Sequence, residues 1–260
     1  MSGAAASQSY FFQVFALLRL SAVQLVRAPS APWRAEAAGR LRRQVVLLAA
    51  IGALVIVALM ATFDAIEIGM MPPRGTPSLW PVRIVTDFGK DDYVLWLLAA
   101  ALIAIGLVVP LRRGVSRTRL LHVGTQVQYL FFAVLIPVLM GQLIKWAVGR
   151  GRPFVGGKAN AFNFAPFNGT EAYFSLPSSH AVTGCALAFA VAAIWPKTRI
   201  PMAVYALAIA ASRLVLLAHH PSDVVAGGLL GVIGATAVRY WFAVRRLGFA
   251  IRDHGEIVPR

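Results

Sequence analysis

Six apolar runs divide the chain, at 45–63, 93–111, 127–148, 181–196, 201–218 and 224–244. An α-helix rises about 1.5 Å per residue, so roughly 20 apolar residues cross the ~30 Å hydrocarbon layer of a bilayer. Each run is near that length, the fourth and fifth being the shortest. Only 13% of the residues are charged and 58% are hydrophobic, whereas a soluble domain carries about 25% charged residues. The pattern predicts an all-α fold, a polytopic membrane bundle of six transmembrane helices. It divides the chain into a segment over 1–43, a six-span domain over 44–245 and a tail over 246–260.

The formal charge of +15 would suit a nucleic-acid binder if the basic residues formed one patch. They do not. Arg19, Arg27, Arg34, Arg40, Arg42 and Arg43 precede the first run; Arg112, Arg113, Arg117 and Arg119 lie between the second and third. Lys197 and Arg199 separate the fourth from the fifth, and Arg245, Arg246, Arg252 and Arg260 follow the sixth. If the spans alternate, all these groups share one side. The first opposite loop, 64–92, mixes Asp64, Glu67, Asp87, Asp91 and Asp92 with Arg74, Arg83 and Lys90. Positive loops stay in the cytoplasm, so both termini are expected there, with anionic lipid and no nucleic acid as the partner of the excess charge.

Residues 8–28 read as an amphipathic helix on the membrane surface, with Phe11, Phe15, Leu18, Ala22 and Leu25 at helical spacing; an extra partner-binding or disordered segment is the alternative. A linker is expected over 28–39, around Pro29 and Pro32, and an irregular, Pro- and Gly-rich external loop over 64–92. Loop 149–176 carries Phe154, Phe162, Phe164, Phe167, Tyr173 and Phe174, aromatics suited to the lipid–water boundary. Gly227, Gly231 and Gly234 are spaced for close helix packing. Cys185, the single cysteine, allows no intrachain disulfide and reads as a small buried residue. No basic residue precedes the first apolar patch, so a cleavable signal peptide is not expected.

The parity of the spans also gathers the rare polar groups. Lys145, Arg150, Arg152, His180, Arg213, His219, His220 and Asp223 all fall at the end opposite the arginine-rich segments. Any one of them could serve a plainer purpose: a lysine or arginine can snorkel to headgroups, and a histidine can cap a helix. Ionisable groups at membrane depth are costly, and their convergence marks a functional site. The nearby carboxylates expected are Asp223 and Glu171, too few to pair the cations, so the site reads as one for an external anion. Arginine forks match phosphate oxygens and lysine adds a point charge. His219 and Asp223 are one helical turn apart, which would let the carboxylate fix one ring nitrogen and leave the other as a nucleophile. His180 could protonate a leaving oxygen. No cluster of carboxylates suited to magnesium is visible, so neither metal nor cofactor is expected.

Three stretches carry a resemblance: KWAVGRGRP (145–153), PSSH (177–180) and SRLVLLAHHPSD (212–223). In order and spacing they are similar to K-x(6)-R-P, P-S-G-H and S-R-x(5)-H-x(3)-D of the phosphatidic acid phosphatase type 2 superfamily, relatives of the vanadium haloperoxidases. Ser179 departs from the pattern, standing where the family has glycine. The resemblance implies that His219 attacks phosphorus, that Asp223 orients it and that His180 protonates the departing group. It further implies that Lys145, Arg152, Arg213 and Ser178 hold phosphate oxygens, helped by the Ser179 N–H. Arg150 misses the motif and is read as a secondary phosphate contact; His220 is read as a neighbour. The implied substrate is a membrane lipid phosphate: phosphatidic acid, phosphatidylglycerophosphate, a polyprenyl diphosphate or a lipid A phosphate. The implied location is a bacterial inner membrane, with the site facing outward. Transfer of phosphate to another lipid, and phospholipid binding or transport without catalysis, are the alternatives. Oligomeric state is open.

Overall fold

A computed structural model describes residues 9–29, 34–153, 155–156, 160–252 and 255–260. Phe154, Pro32 with the rest of linker positions 30–33, the side chain of Arg34 and residues 1–8 of the N-terminal segment lie outside the described residues. The chain forms α1 (Tyr10–Val26), α2 (Arg34–Thr62), α3 (Asp64–Met70), α4 (Trp80–Asp87), α5 (Asp91–Val108) and α6 (Gly114–Val148). These are followed by α7 (Ser179–Ile194), α8 (Arg199–Val215), α9 (Pro221–Val244) and an antiparallel hairpin of β1 (Phe249–Ile251) with β2 (Ile257–Pro259).

Among the described residues, five helical stretches are long and apolar enough to cross a membrane; they contain α2, α5, α6, α8 and α9. This is an integral membrane protein. The fourth expected span is different in kind. Helix α7 has 16 residues, a rise of about 24 Å, short of the bilayer core. It lies inside the bundle against α6, α8 and α9. Small residues fill its buried face: Ala181, Gly184, Ala186, Ala188 and Ala190.

The tightest seam joins α7 to α9. A Cβ on Gly227 would lie 2.5 Å from the Ser178 carbonyl oxygen, and one on Gly231 would lie 2.4 Å from that of Val182. One on Gly234 would meet Pro137 of α6 at 2.6 Å. The three glycines therefore serve close packing, as their spacing suggests. Around this seam Tyr129, Val134, Val182, Ala186, Ala235 and Phe242 form one apolar cluster. Cys185 packs against Gly228 in the same seam.

At one end of the bundle α1 lies across its neighbours. Tyr10 donates from its hydroxyl to the Leu107 carbonyl, Gln128 to the Ser21 hydroxyl, and the Trp241 indole to the Leu25 carbonyl. Phe11, Phe15 and Leu18 face outward, away from the bundle. The hairpin docks at this end too, with Phe249 edge-on to Tyr129, so the expected tail is a folded cap. Helix α2 begins within the expected linker and spans the expected boundary at residue 43.

The opposite end collects the 63–90 segment, the 149–178 loop and the turn between α8 and α9. The 64–92 segment was expected to be irregular; it holds α3, a 3-10 turn and α4. Helix α4 packs along α8, where the Tyr205 hydroxyl donates to the Phe88 carbonyl.

Candidate active site

The last turn of α6 places Lys145, and Gly149 then stops the helix. Its φ is +57° and its N–H bonds the Lys145 carbonyl, so it is a left-handed cap. No side chain fits there, because a Cβ would lie 1.9 Å from the Ala165 oxygen. The chain then runs beside the loop's return: Arg150 bridges Phe164, Arg152 N–H bonds Ala172, and Ser175 N–H bonds the Arg150 carbonyl. The 177–180 stretch joins the same end. Pro177 lies against Gly141 of α6, and the Ser178 N–H donates to the Asp223 carbonyl at 3.0 Å.

Helix α8 ends in a Schellman turn. Ala218 N–H bonds the Arg213 carbonyl, Leu217 N–H bonds that of Leu214, and Leu217 takes φ +47°. A leucine in the left-handed region costs about 1–2 kcal/mol. Its side chain is buried, and the turn delivers His219 one residue past the helix's final loop. His220 is the N-cap of α9, and its N–H donates to Asp223 Oδ2 at 2.9 Å.

His219 is 2% exposed. Its Nδ1 lies 2.8 Å from the Ser175 carbonyl oxygen. A carbonyl only accepts, so Nδ1 carries the ring proton and the lone pair sits on Nε2. The expected orienting group was Asp223; its Oδ2 is 4.0 Å from Nδ1, too far for a hydrogen bond. Ser175 links the two, since its hydroxyl donates to Asp223 Oδ2 at 2.5 Å. Burial, followed by the Arg213, Lys145 and Arg152 charges, holds the His219 ring well below the usual imidazole range. Both influences favour the neutral ring, with its lone pair on Nε2.

Arg150 overturns an expectation. It is 0% exposed and makes no outward approach. Nη1 donates to Asp223 Oδ1 and Ser222 Oγ, each at 2.6 Å, and Nη2 to Asp64 Oδ2 at 2.7 Å. Nε and Nη2 also reach the Ala161 carbonyl. A guanidinium with that set of acceptors has nothing left for phosphate. The expectation of too few carboxylates is likewise corrected, because Asp64 and Glu67 of α3 are buried here. Nothing in the 64–92 composition separated these two from the loop's surface acids. Asp64 does border an apolar run, which is the signal that singled out Lys145.

The front of the site is built in the opposite way. Arg152 Nε, Ser178 Oγ, His180 Nε2 and Arg213 Nε are buried without a hydrogen bond within the protein. Buried polar groups are rarely left so, and all four belong to the motifs. Lys145 is 5% exposed, and its charge and that of Arg213 act on the His180 ring. Arg213 is steadied from one side, with Nη1 donating to Thr86 Oγ1 of α4 at 2.7 Å. Ser179 opens α7, where the first-turn N–H groups have no intrahelical acceptor and can meet an anion. Its hydroxyl accepts from Gln142 at 3.5 Å. Among the described residues no group of three or more histidine, cysteine or acidic side chains is arranged to hold a metal ion.

The PAP2 superfamily profile matches residues 126–247. A Lipid A 1-phosphatase of Rhizobium johnstonii is 31% identical over 86% of this chain and 91% of its own length. A Lipid A 1-phosphatase of Rhizobium etli is 32% identical over 57% of this chain and 65% of its own length. The Bacitracin transport permease protein BcrC of Bacillus licheniformis is 29% identical over 62% and 78%. No solved structure matches. Similarity along nearly the full length of one such relative, together with the profile over the three motifs, places this chain in the PAP2 superfamily.

Proposed function

We propose that this protein removes phosphate from a membrane lipid, with the 1-phosphate of lipid A as the first substrate to test, through a phosphohistidine on His219. The observation that carries this reading is the contrast around His219: a lone pair on Nε2, an Arg150 behind it whose every N–H is taken, and buried motif groups without protein partners in front. The names of the two Rhizobium relatives favour lipid A among the lipid phosphates.

The steps follow from the donors. The phosphate sits among Lys145, Arg152, Arg213, the Ser178 hydroxyl and the Ser179 N–H. His219 Nε2 gives its lone pair to phosphorus as the bond from phosphorus to the lipid oxygen breaks. His180 gives that oxygen a proton; the incoming phosphate charge offsets the cations around His180 and helps it hold that proton. Water then attacks phosphorus, the P–N bond breaks, and His180 takes the water's proton. The three cations stabilise the charge on the equatorial oxygens in both steps. They supply what a metal would, and Asp223 is already occupied by Arg150, Ser175 and His220. The reaction therefore runs without a metal. The arginine asymmetry supports cytoplasmic termini and a site on the outer face of the bacterial inner membrane.

The test is phosphate release from lipid A by the full chain in detergent, with chelator present. Wild type releases phosphate, forms an acid-labile phosphoprotein and is inhibited by vanadate. His219→Ala, still folded, loses both phosphate release and labelling. An active His219→Ala protein would sink the mechanism. Activity lost to chelator and restored by magnesium would sink its metal independence. The relative named as a transport permease motivates a second reading, lipid binding or transport without turnover; binding of lipid A with no phosphate released would favour it. Label appearing on an acceptor lipid would favour phosphotransfer over hydrolysis.

A further inference from the structure

The cluster behind His219 has an unequal charge count. Asp64, Arg150 and Asp223 are each 0% exposed, and one guanidinium bridges two carboxylates. One negative charge is left over. Glu67 adds another only as pH rises through about 7. It is 1% exposed, and burial, then Asp64, then Asp223, push its carboxyl up to about 7.

Where the surplus lies depends on Asp64. Asp64 is committed to the cluster: Oδ1 accepts the Ser222 N–H at 3.0 Å, and Oδ2 accepts Arg150 Nη2 and the Ser222 hydroxyl. Asp223 is the member beside the nucleophile, with Oδ2 4.0 Å from His219 Nδ1. Without Asp64, Arg150 would cancel the Asp223 charge. With Asp64 present, the guanidinium is shared between the two carboxylates, and part of the Asp223 charge still acts on His219.

We propose that Asp64 is a positioning residue of the phosphoryl-transfer site: it neutralises Arg150 so that the Asp223 charge stabilises the imidazolium forming when His219 takes phosphorus. This rests on the reading of His219 as nucleophile. The effect is larger in the transition state than in the bound complex, because the ring gains positive charge only as the P–N bond forms. Asp64 therefore acts on kcat and leaves KM nearly alone.

The test compares Asp64→Asn, the charge-balanced pair Asp64→Asn/Arg150→Met, and His219→Ala, all as full chains in detergent. The readouts are kcat and KM for phosphate release from lipid A, with thermal unfolding alongside. Asp64→Asn should lower kcat on the order of 10- to 100-fold, with KM within about threefold of wild type. The pair should recover to within about tenfold of wild type, because Arg150 no longer offsets Asp223 while the Ser175 hydroxyl and the His220 N–H still hold it as a carboxylate. A purely structural role would make the pair as poor as the single variant or worse. If Asp64→Asn does not fold, the pair alone decides: folded but inactive, it overturns the proposal. Wild-type kcat in a folded Asp64→Asn protein also overturns it. Phosphate release surviving in His219→Ala would instead strike the functional reading on which the proposal stands.

Discussion

Arg150 and Arg152 are two residues apart, on one loop, at one end of the bundle, and they have opposite surroundings. Arg150 is saturated by Asp64, Asp223, Ser222 and the Ala161 carbonyl. Arg152 keeps a buried Nε with no hydrogen bond within the protein. The first lies in the charge cluster behind His219; the second belongs to the face at which we propose phosphate binds. Burying a charge is costly unless it is paired; Arg150 is paired within the protein, whereas Arg152 leaves a buried Nε available to a ligand. The difference teaches that basic residues at membrane depth are not one class, and that their hydrogen bonds separate the jobs.

The comparison can be broken most severely from the cluster. Arg150→Ala leaves Asp64 and Asp223 buried and unpaired, and breaking such a pair costs about 3–5 kcal/mol. Thermal unfolding in detergent should fall sharply with or without substrate; an unchanged midpoint would mean that the cage does not hold the fold. The face should respond in the other currency. Arg213→Ala should lower kcat/KM on the order of 100- to 1000-fold while the unfolding midpoint stays near wild type. If Arg213→Ala unfolds as readily as Arg150→Ala, the two regions are not distinct.

The smallest effect sharpens the cluster's electrostatics. Glu67 is pushed up to about 7 in the folded protein, mainly by burial. A carboxyl raised in this way binds its proton more tightly folded than unfolded. Its contribution is therefore fully present below the unfolded value of 4.5 and is lost as pH rises to about 7. Glu67→Gln removes that loss. Above pH 7 the variant should unfold about 2–5 °C higher than wild type, and near pH 4 the two should agree. Equal midpoints at every pH would show that Glu67 is already ionised in the fold.

The candidate residues were legible because each motif lies at the rim of an apolar run, so Lys145, His180, Arg213, His219 and Asp223 could be gathered at one end by parity alone. Their partners were not. Ser175 orients His219 through its backbone carbonyl, a group that every residue carries and no side-chain pattern reveals. Thr86 reaches Arg213 from a helix in a segment whose prolines and glycines suggested an irregular loop. Arg150 looked like one more phosphate ligand because its carboxylate partners lie 73 and 86 positions away.

By itself the sequence determined the all-α membrane bundle and the end of it at which the polar motifs meet. The bilayer forces that result: apolar helices must cross, and successive crossings alternate. The tertiary structure alone decided which arginine is paired and which is free, and which group fixes the His219 tautomer. A buried charge takes whatever partner the packing brings within about 3 Å, and for Arg150 that partner came from helices remote in sequence.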